Sequence, residues 1–123
     1  MHFVQDEFDS ALRIRGYDAQ GIRIGDTCYR HSLIVSHRAV HADWRPRDLD
    51  ALEAADLSDI PALEVELLLL GTGHKLRFPP PATTAPLLAT GIGVEIMDTA
   101  AACRTFNILL SEGRPVAAAL LID

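Results

Sequence analysis

Residues 93–122 read GVEIMDTAAACRTFNILLSEGRPVAAALLI, and this stretch decides the fold. The opening GVEIM is a short run of strand-forming residues. Asp98 stands where a helix N-cap belongs, and Gly113 where a helix can end in the left-handed conformation. A helix is therefore expected between them. The run Val116–Leu121 is continuously apolar, as a strand covered on both faces is. A strand, a helix and a strand in this order form a parallel pair with a right-handed crossover. At about 100° per residue, Ala102, Cys103, Phe106, Leu109 and Leu110 fall within one arc of the helix, the predicted core stripe. Thr105 and Asn107 flank that stripe, while Arg104 and Ile108 lie on the back. The apolar Ile108 there hints at a second contact, from an N-terminal hairpin or another subunit.

The same pattern extends upstream. Residues 62–71, ALEVELLLLG, alternate and then become continuously apolar, which predicts a strand entering a covered sheet. Residues 83–91, TTAPLLATG, predict a short helix with Thr83 or Thr84 as cap, Pro86 in the first turn and Gly91 at the left-handed end. Residues 21–37, GIRIGDTCYRHSLIVSH, read as a hairpin: strand Gly21–Ile24, turn Gly25-Asp26, strand Thr27–Val35. Residues 44–61, WRPRDLDALEAADLSDIP, hold a predicted acidic helix from Pro46 to Ala55, with a proline and aspartates near its start. Residues 1–16 show weak periodicity and are expected to form an irregular lead-in. The reading is thus an α/β fold: a mixed, mostly parallel sheet with flanking helices and an added N-terminal β-hairpin, one domain over residues 1–123.

Size and composition fit this. A chain of 123 residues suits one domain with one core. No apolar run approaches the roughly 20 residues of a membrane-spanning helix. The N-terminus shows neither a secretory signal nor the Arg-rich pattern of a transit peptide, so the cytoplasm is the expected location. Cys28 and Cys103 form no CxxC motif and read as buried small hydrophobes.

The net charge of −6 is unevenly placed. Residues 43–66 carry eight acids, Asp43, Asp48, Asp50, Glu53, Asp56, Asp59, Glu64 and Glu66, against Arg45 and Arg47. Elsewhere nine acids and nine bases cancel. Such a segment repels phosphate backbones, so nucleic acid is not the expected partner. It reads as a solvated face, or as a docking surface for a basic partner.

Residues 67–81, LLLLGTGHKLRFPPP, raise the question of a phosphate cradle. A dinucleotide fingerprint needs G-x-G-x-x-G, and Leu76 occupies the third glycine's place. The prolines keep the turn from opening a helix, so no helix N-terminus is at hand for a pyrophosphate. No Walker loop can be written. Gly71, Thr72 and Gly73 then mark either a sharp exit from a buried strand or a small pocket at that strand's carboxyl end. Thr105 and Asn107 are the candidate polar wall of such a pocket. Asn107 has an alternative structural role, binding backbone exposed elsewhere. His37 and His41 are four apart but have no third metal ligand nearby. No nucleophile motif is present, so no catalytic residue, metal or cofactor is assigned.

The motifs LLLLGTGHKLRFPPP, GVEIMDT and ACRTFNILLSEGRPVAAAL closely resemble the small Mth-domain family of unknown function. That family includes the mitochondrial complex I assembly factor 3 and an adipogenesis-associated vertebrate protein. The hairpin and Trp44 extend the resemblance over about residues 16–121. It implies a three-layer α/β fold with a central mixed sheet and a β-hammerhead-like hairpin. It implies no catalytic set. It points to a bacterial member acting by protein contacts, with a link to respiratory complex assembly and an unidentified protein partner. The alternative is a small-molecule-binding domain or enzyme with its pocket at the glycine turn.

Overall fold

The structure, a computed structural model, describes residues 11–123. Strands β1 (Ile14–Asp18), β2 (Gly21–Ile24) and β3 (Thr27–Tyr29) form an antiparallel three-stranded sheet in that order. A second sheet holds β4 (Leu33–Ser36), β5 (Val40–His41), β6 (Leu67–Gly71), β7 (Gly93–Met97) and β8 (Val116–Leu120), in the order β5-β4-β8-β6-β7. The helix-connected strands β6, β7 and β8 are parallel, while β4 pairs antiparallel with both β5 and β8. The sheet is therefore mixed.

Helix α1 (Pro81–Leu88) links β6 to β7, and helix α2 (Thr99–Ser111) links β7 to β8. As anticipated, Asp98 caps α2 by accepting the Ala101 N–H at 2.8 Å, and Gly113 follows with φ +75°. In α1 the cap is different. Pro80 precedes a helix that starts on Pro81, where the missing N–H costs nothing. Thr83 and Thr84 are buried within the helix, and Pro86 lies in its interior rather than its first turn.

Period-two alternation explains why β6 and β8 read as unbroken apolar runs. Leu69, Val116, Ala118 and Leu120 face one layer with Phe106, Leu110, Ile22 and Ile24. Leu68, Leu70, Ala117 and Ala119 face the other, with Trp44, Leu57, Ile60 and Leu87. The large sheet is thus covered on both sides, by α2 and the small sheet on one and by α1 and the acidic segment on the other. This is the three-layer α/β arrangement. Of the expected stripe on α2, Ala102, Cys103, Phe106 and Leu110 are buried, and Leu109 packs at the margin of the same cluster.

Three local expectations are corrected. The strand expected over Thr27–Val35 is two strands in different sheets. Ser32 divides them: its carbonyl accepts the Trp44 N–H at 2.9 Å, and its hydroxyl accepts the Ile122 N–H at 3.4 Å. Those bonds divert the backbone from one ladder to the other. The acidic helix is absent. Its residues form short 3-10 turns over Leu49–Ala51 and Ala54–Leu57, followed by another over Ile60–Leu63. Asp48 caps the first turn by accepting the Ala51 N–H at 2.9 Å, and Asp56 accepts the Glu53 N–H at 2.8 Å in a capping box at the second, so the segment makes separately capped short turns instead of one helix. The expected lead-in over residues 1–16 lies outside the described residues up to residue 10. Beyond that, Ile14 already begins β1.

Candidate functional site

Strand β6 ends at Gly71, and the chain turns through Thr72 and Gly73 against the first residue of α2. Gly71 lies so close to that helix that an added Cβ would come within 3.0 Å of the Thr99 Cα. Thr99 is fully buried and holds the junction together. Its hydroxyl accepts the Gly73 N–H at 2.8 Å and donates to the Leu121 carbonyl at 2.6 Å. Its own N–H donates to the Gly73 carbonyl at 2.9 Å. One side chain thereby joins the exits of β6 and β8 to the start of α2.

Further polar groups of the turn are engaged within the chain. Thr72 donates its hydroxyl to the Lys75 carbonyl at 2.7 Å and accepts the Arg77 N–H at 3.2 Å. The His74 N–H donates to Asp123 Oδ1 at 2.8 Å. The space a side chain at position 73 would need is filled by that same carboxylate, and Gly73 has φ +104°, which glycine alone adopts readily. A turn of the kind that elsewhere cradles an anion here receives an anionic group of its own chain.

Asn107 is turned to a different partner. Its Oδ1 accepts the Ile14 N–H and its Nδ2 donates to the Ile14 carbonyl, both at 2.8 Å. The side-chain amide acts as a surrogate neighbour for β1, an edge strand of the small sheet. Asn107 also borders a cavity of about 310 Å³ whose wall includes Arg13, Arg15, Arg104 and Tyr17. The glycine turn does not line that cavity. Burial, followed by the charge of Asp123, raises the Tyr17 hydroxyl above its ordinary pKa. Burial pushes the Cys103 thiol, on the same wall, up to about 12. Thr105 is half-buried beside Phe106 in the chain. Four of the five candidate residues thus fall into two places: Gly71, Thr72 and Gly73 around Thr99 and Asp123, and Asn107, from α2, against β1; Thr105, on α2, takes part in neither set of bonds.

A second cavity, of about 460 Å³, was not foreseen from the sequence. It opens between the residues leaving β5 and the third 3-10 turn, with Ile34, Trp44, Ile60 and Leu63 among its apolar walls and Asp43 and Asp59 among its polar ones. Trp44 is fixed by donating its indole N–H to the Asp56 carbonyl at 3.0 Å. Beside it the Arg45 guanidinium grips both oxygens of Asp56, at 2.7 Å each. That guanidinium, with the Glu53 N–H, holds the Asp56 carboxyl below the ordinary range against its partial burial. A hint was available in the sequence, where a lone tryptophan adjoins the acidic run. Among the described residues no group of three or more His, Cys, Asp or Glu side chains is arranged to hold a metal ion. No helix among them is long and apolar enough to cross a membrane.

Comparison with known proteins gives the chain its relatives. A family profile described as a protein of unknown function (DUF498/DUF598) matches residues 14–121. An uncharacterized protein of Rhodobacter capsulatus is 39% identical over 116 residues, covering 93% of this chain and 87% of the relative. A mouse protein named NADH dehydrogenase [ubiquinone] 1 alpha subcomplex assembly factor 3 is 31% identical over 121 residues, which is 96% of this chain and 64% of the mouse protein. The solution structure of a Mth938-like domain from Bordetella pertussis superposes with a TM-score of 0.80 at 30% identity, covering 91% of this chain and 86% of that domain.

Proposed function

The chain belongs to the DUF498/DUF598 family of proteins of unknown function, and from that premise we propose that it is a non-enzymatic protein-interaction domain of the assembly-factor kind. The observation that carries this reading is the match across nearly the whole chain to the mouse protein named as an NADH dehydrogenase [ubiquinone] 1 alpha subcomplex assembly factor. The finer proposal is that it assists assembly of a respiratory NADH dehydrogenase, working from the cytoplasm. Physical support comes from the glycine turn, where Thr99 joins β6, α2 and β8 and the Thr72 hydroxyl and the His74 N–H are bonded within the chain.

Affinity capture of the chain from its native cells, after mild crosslinking, tests this. A reproducible protein partner is expected at both low and moderate salt, and recovery of none overturns the reading. Deletion is expected to lower the amount of assembled NADH dehydrogenase; unchanged assembly removes the respiratory link. Recovery of the native protein in washed membranes would move its location out of the cytoplasm.

The alternative is a small-molecule-binding domain or enzyme using Gly71, Thr72, Gly73, Thr105 and Asn107. Its best support is the cavity beside Asn107, whose three arginines suit an anionic ligand. A ligand seated at the turn would instead have to displace Asp123 from the His74 N–H. Thermal melting against an anionic metabolite panel separates the readings, since a ligand at about 100 times its Kd adds roughly 2.7 kcal/mol.

A further inference from the structure

We infer that the 460 Å³ groove beside β5 is a docking site for a segment of a partner protein that presents an aliphatic or aromatic side chain flanked by Lys or Arg. This rests on the interaction reading above and adds to it the surface and the chemistry of its occupant.

The first support is shape. Ile34, Trp44, Ile60 and Leu63 give the groove an apolar floor, and its volume accommodates one large side chain with its neighbours. The second is charge. Within residues 43–66, Asp50, Glu53, Asp56, Glu64 and Glu66 all face arginines. Asp43, Asp48 and Asp59 are in no ion pair among the described residues. The Asp48 carboxylate caps a 3-10 turn, whereas Asp43 and Asp59 both line the groove. Arg45 is the guanidinium on that wall, and Asp56 and Glu53 already neutralise it. Two of the three carboxylates of the segment that are in no ion pair among the described residues, Asp43 and Asp59, therefore stand at this opening.

The third support is backbone. Strand β5 is an edge of the large sheet, pairing with β4 alone. His41, Ala42 and Asp43 continue from it along the groove wall. An extended segment can lie beside such an edge, placing one side chain on the floor and its neighbours toward the carboxylates. Burial of the apolar side chain supplies the affinity, and Asp43 and Asp59 select a basic sequence.

The test uses the ¹⁵N-labelled chain and two probes, acetyl-arginyl-tryptophyl-arginine amide and its counterpart with glutamates in place of the arginines. The basic peptide is expected to shift the amides of residues 42–44 and 59–63 and the Trp44 indole. The acidic peptide should bind about five- to tenfold more weakly, as two exposed charge contacts allow. Asp43→Asn with Asp59→Asn should bring the two peptides within about twofold. Asparagine tolerates the left-handed backbone of position 43, where φ is +60°. Should the double variant not fold, 0.5 M salt applied to the unaltered chain should erase the same difference. Equal binding of both peptides at low salt, or shifts centred on residues 13–17, overturns the proposal.

Partner capture separates this from the broader reading. A partner that the double variant retains overturns the groove alone, whereas no partner for either protein overturns the interaction reading itself. Sedimentation showing that the double substitution dissociates a dimer of this chain would make the occupant a second copy and overturn the commitment to a different protein.

Discussion

Asn107 holds both backbone hydrogen-bonding groups of Ile14, a residue 93 positions away in the chain, with two bonds of 2.8 Å. The amide closes the outer edge of β1 and ties the small sheet to α2. Replacing Asn107 with Ala should cost about 1–3 kcal/mol, because the Ile14 groups lose their partners in a part-buried position. Urea unfolding measures the loss, and hydrogen exchange should quicken at Ile14 first. Thr105→Ala, two positions earlier, should change stability by less than about 0.5 kcal/mol. An equal cost at both positions would refute a special role for Asn107.

Thr99 is the more consequential residue. Thr99→Val keeps the shape but leaves the Gly73 N–H and the Leu121 carbonyl without their partner. The expected loss is about 2–4 kcal/mol, since both orphaned groups are buried. Thr99→Ser should recover most of it. A Val variant as stable as the parent would show that the junction is held by packing alone.

The Arg45–Asp56 pair predicts a pH dependence. The folded-state pKa of Asp56 is depressed, first by its hydrogen bonds to Arg45. Its contribution is therefore complete above the unfolded value of about 3.9. It is lost as pH falls through the depressed folded value. Denaturation measured between neutral and strongly acidic pH should show this acid limb, and Asp56→Asn should flatten it. An Asn variant with the parent's full acid limb would rule out the pair as its source.

Cys103 should be chemically silent in the native protein. Its thiol is buried and pushed up to about 12, so almost no thiolate exists at pH 8. In a Cys28→Ser variant, a thiol reagent should label Cys103 only after unfolding by urea. Rapid labelling of the folded variant would mean that the wall of the cavity beside Asn107 opens readily.

What the sequence made legible follows the range of the interactions. Strands β6, β7 and β8 and helix α2 could be read because local signals specify them: unbroken apolar runs, the Asp98 cap and the Gly113 stop. The division between β3 and β4 could not, for it depends on Ser32 meeting Ile122, 90 residues on. The acidic segment misled because acids near a proline suit one helix start, while here Asp48 and Asp56 cap two separate 3-10 turns. At the candidate site, the glycines announced a sharp turn. Nothing local announced Thr99 as its tether, 26 residues from Gly73, or Asp123 as the group that fills it. Asn107 stood out as polar beside the core stripe, and its partner, Ile14, lies in a strand the periodicity did not reveal.

The position of β8 has a consequence for how the chain is made. The strand at the centre of the large sheet, paired with β4 on one side and β6 on the other, follows every other described element in order of synthesis. Until residues 116–120 leave the ribosome, β4 and β6 have no common neighbour, and two apolar edges wait unpaired. Folding of the sheet is therefore a late, long-range event, and the nascent chain passes through a stage prone to association with other strands. Since β8 comes after both of its neighbours in the chain, slow decoding just before Val116 would lengthen that exposure.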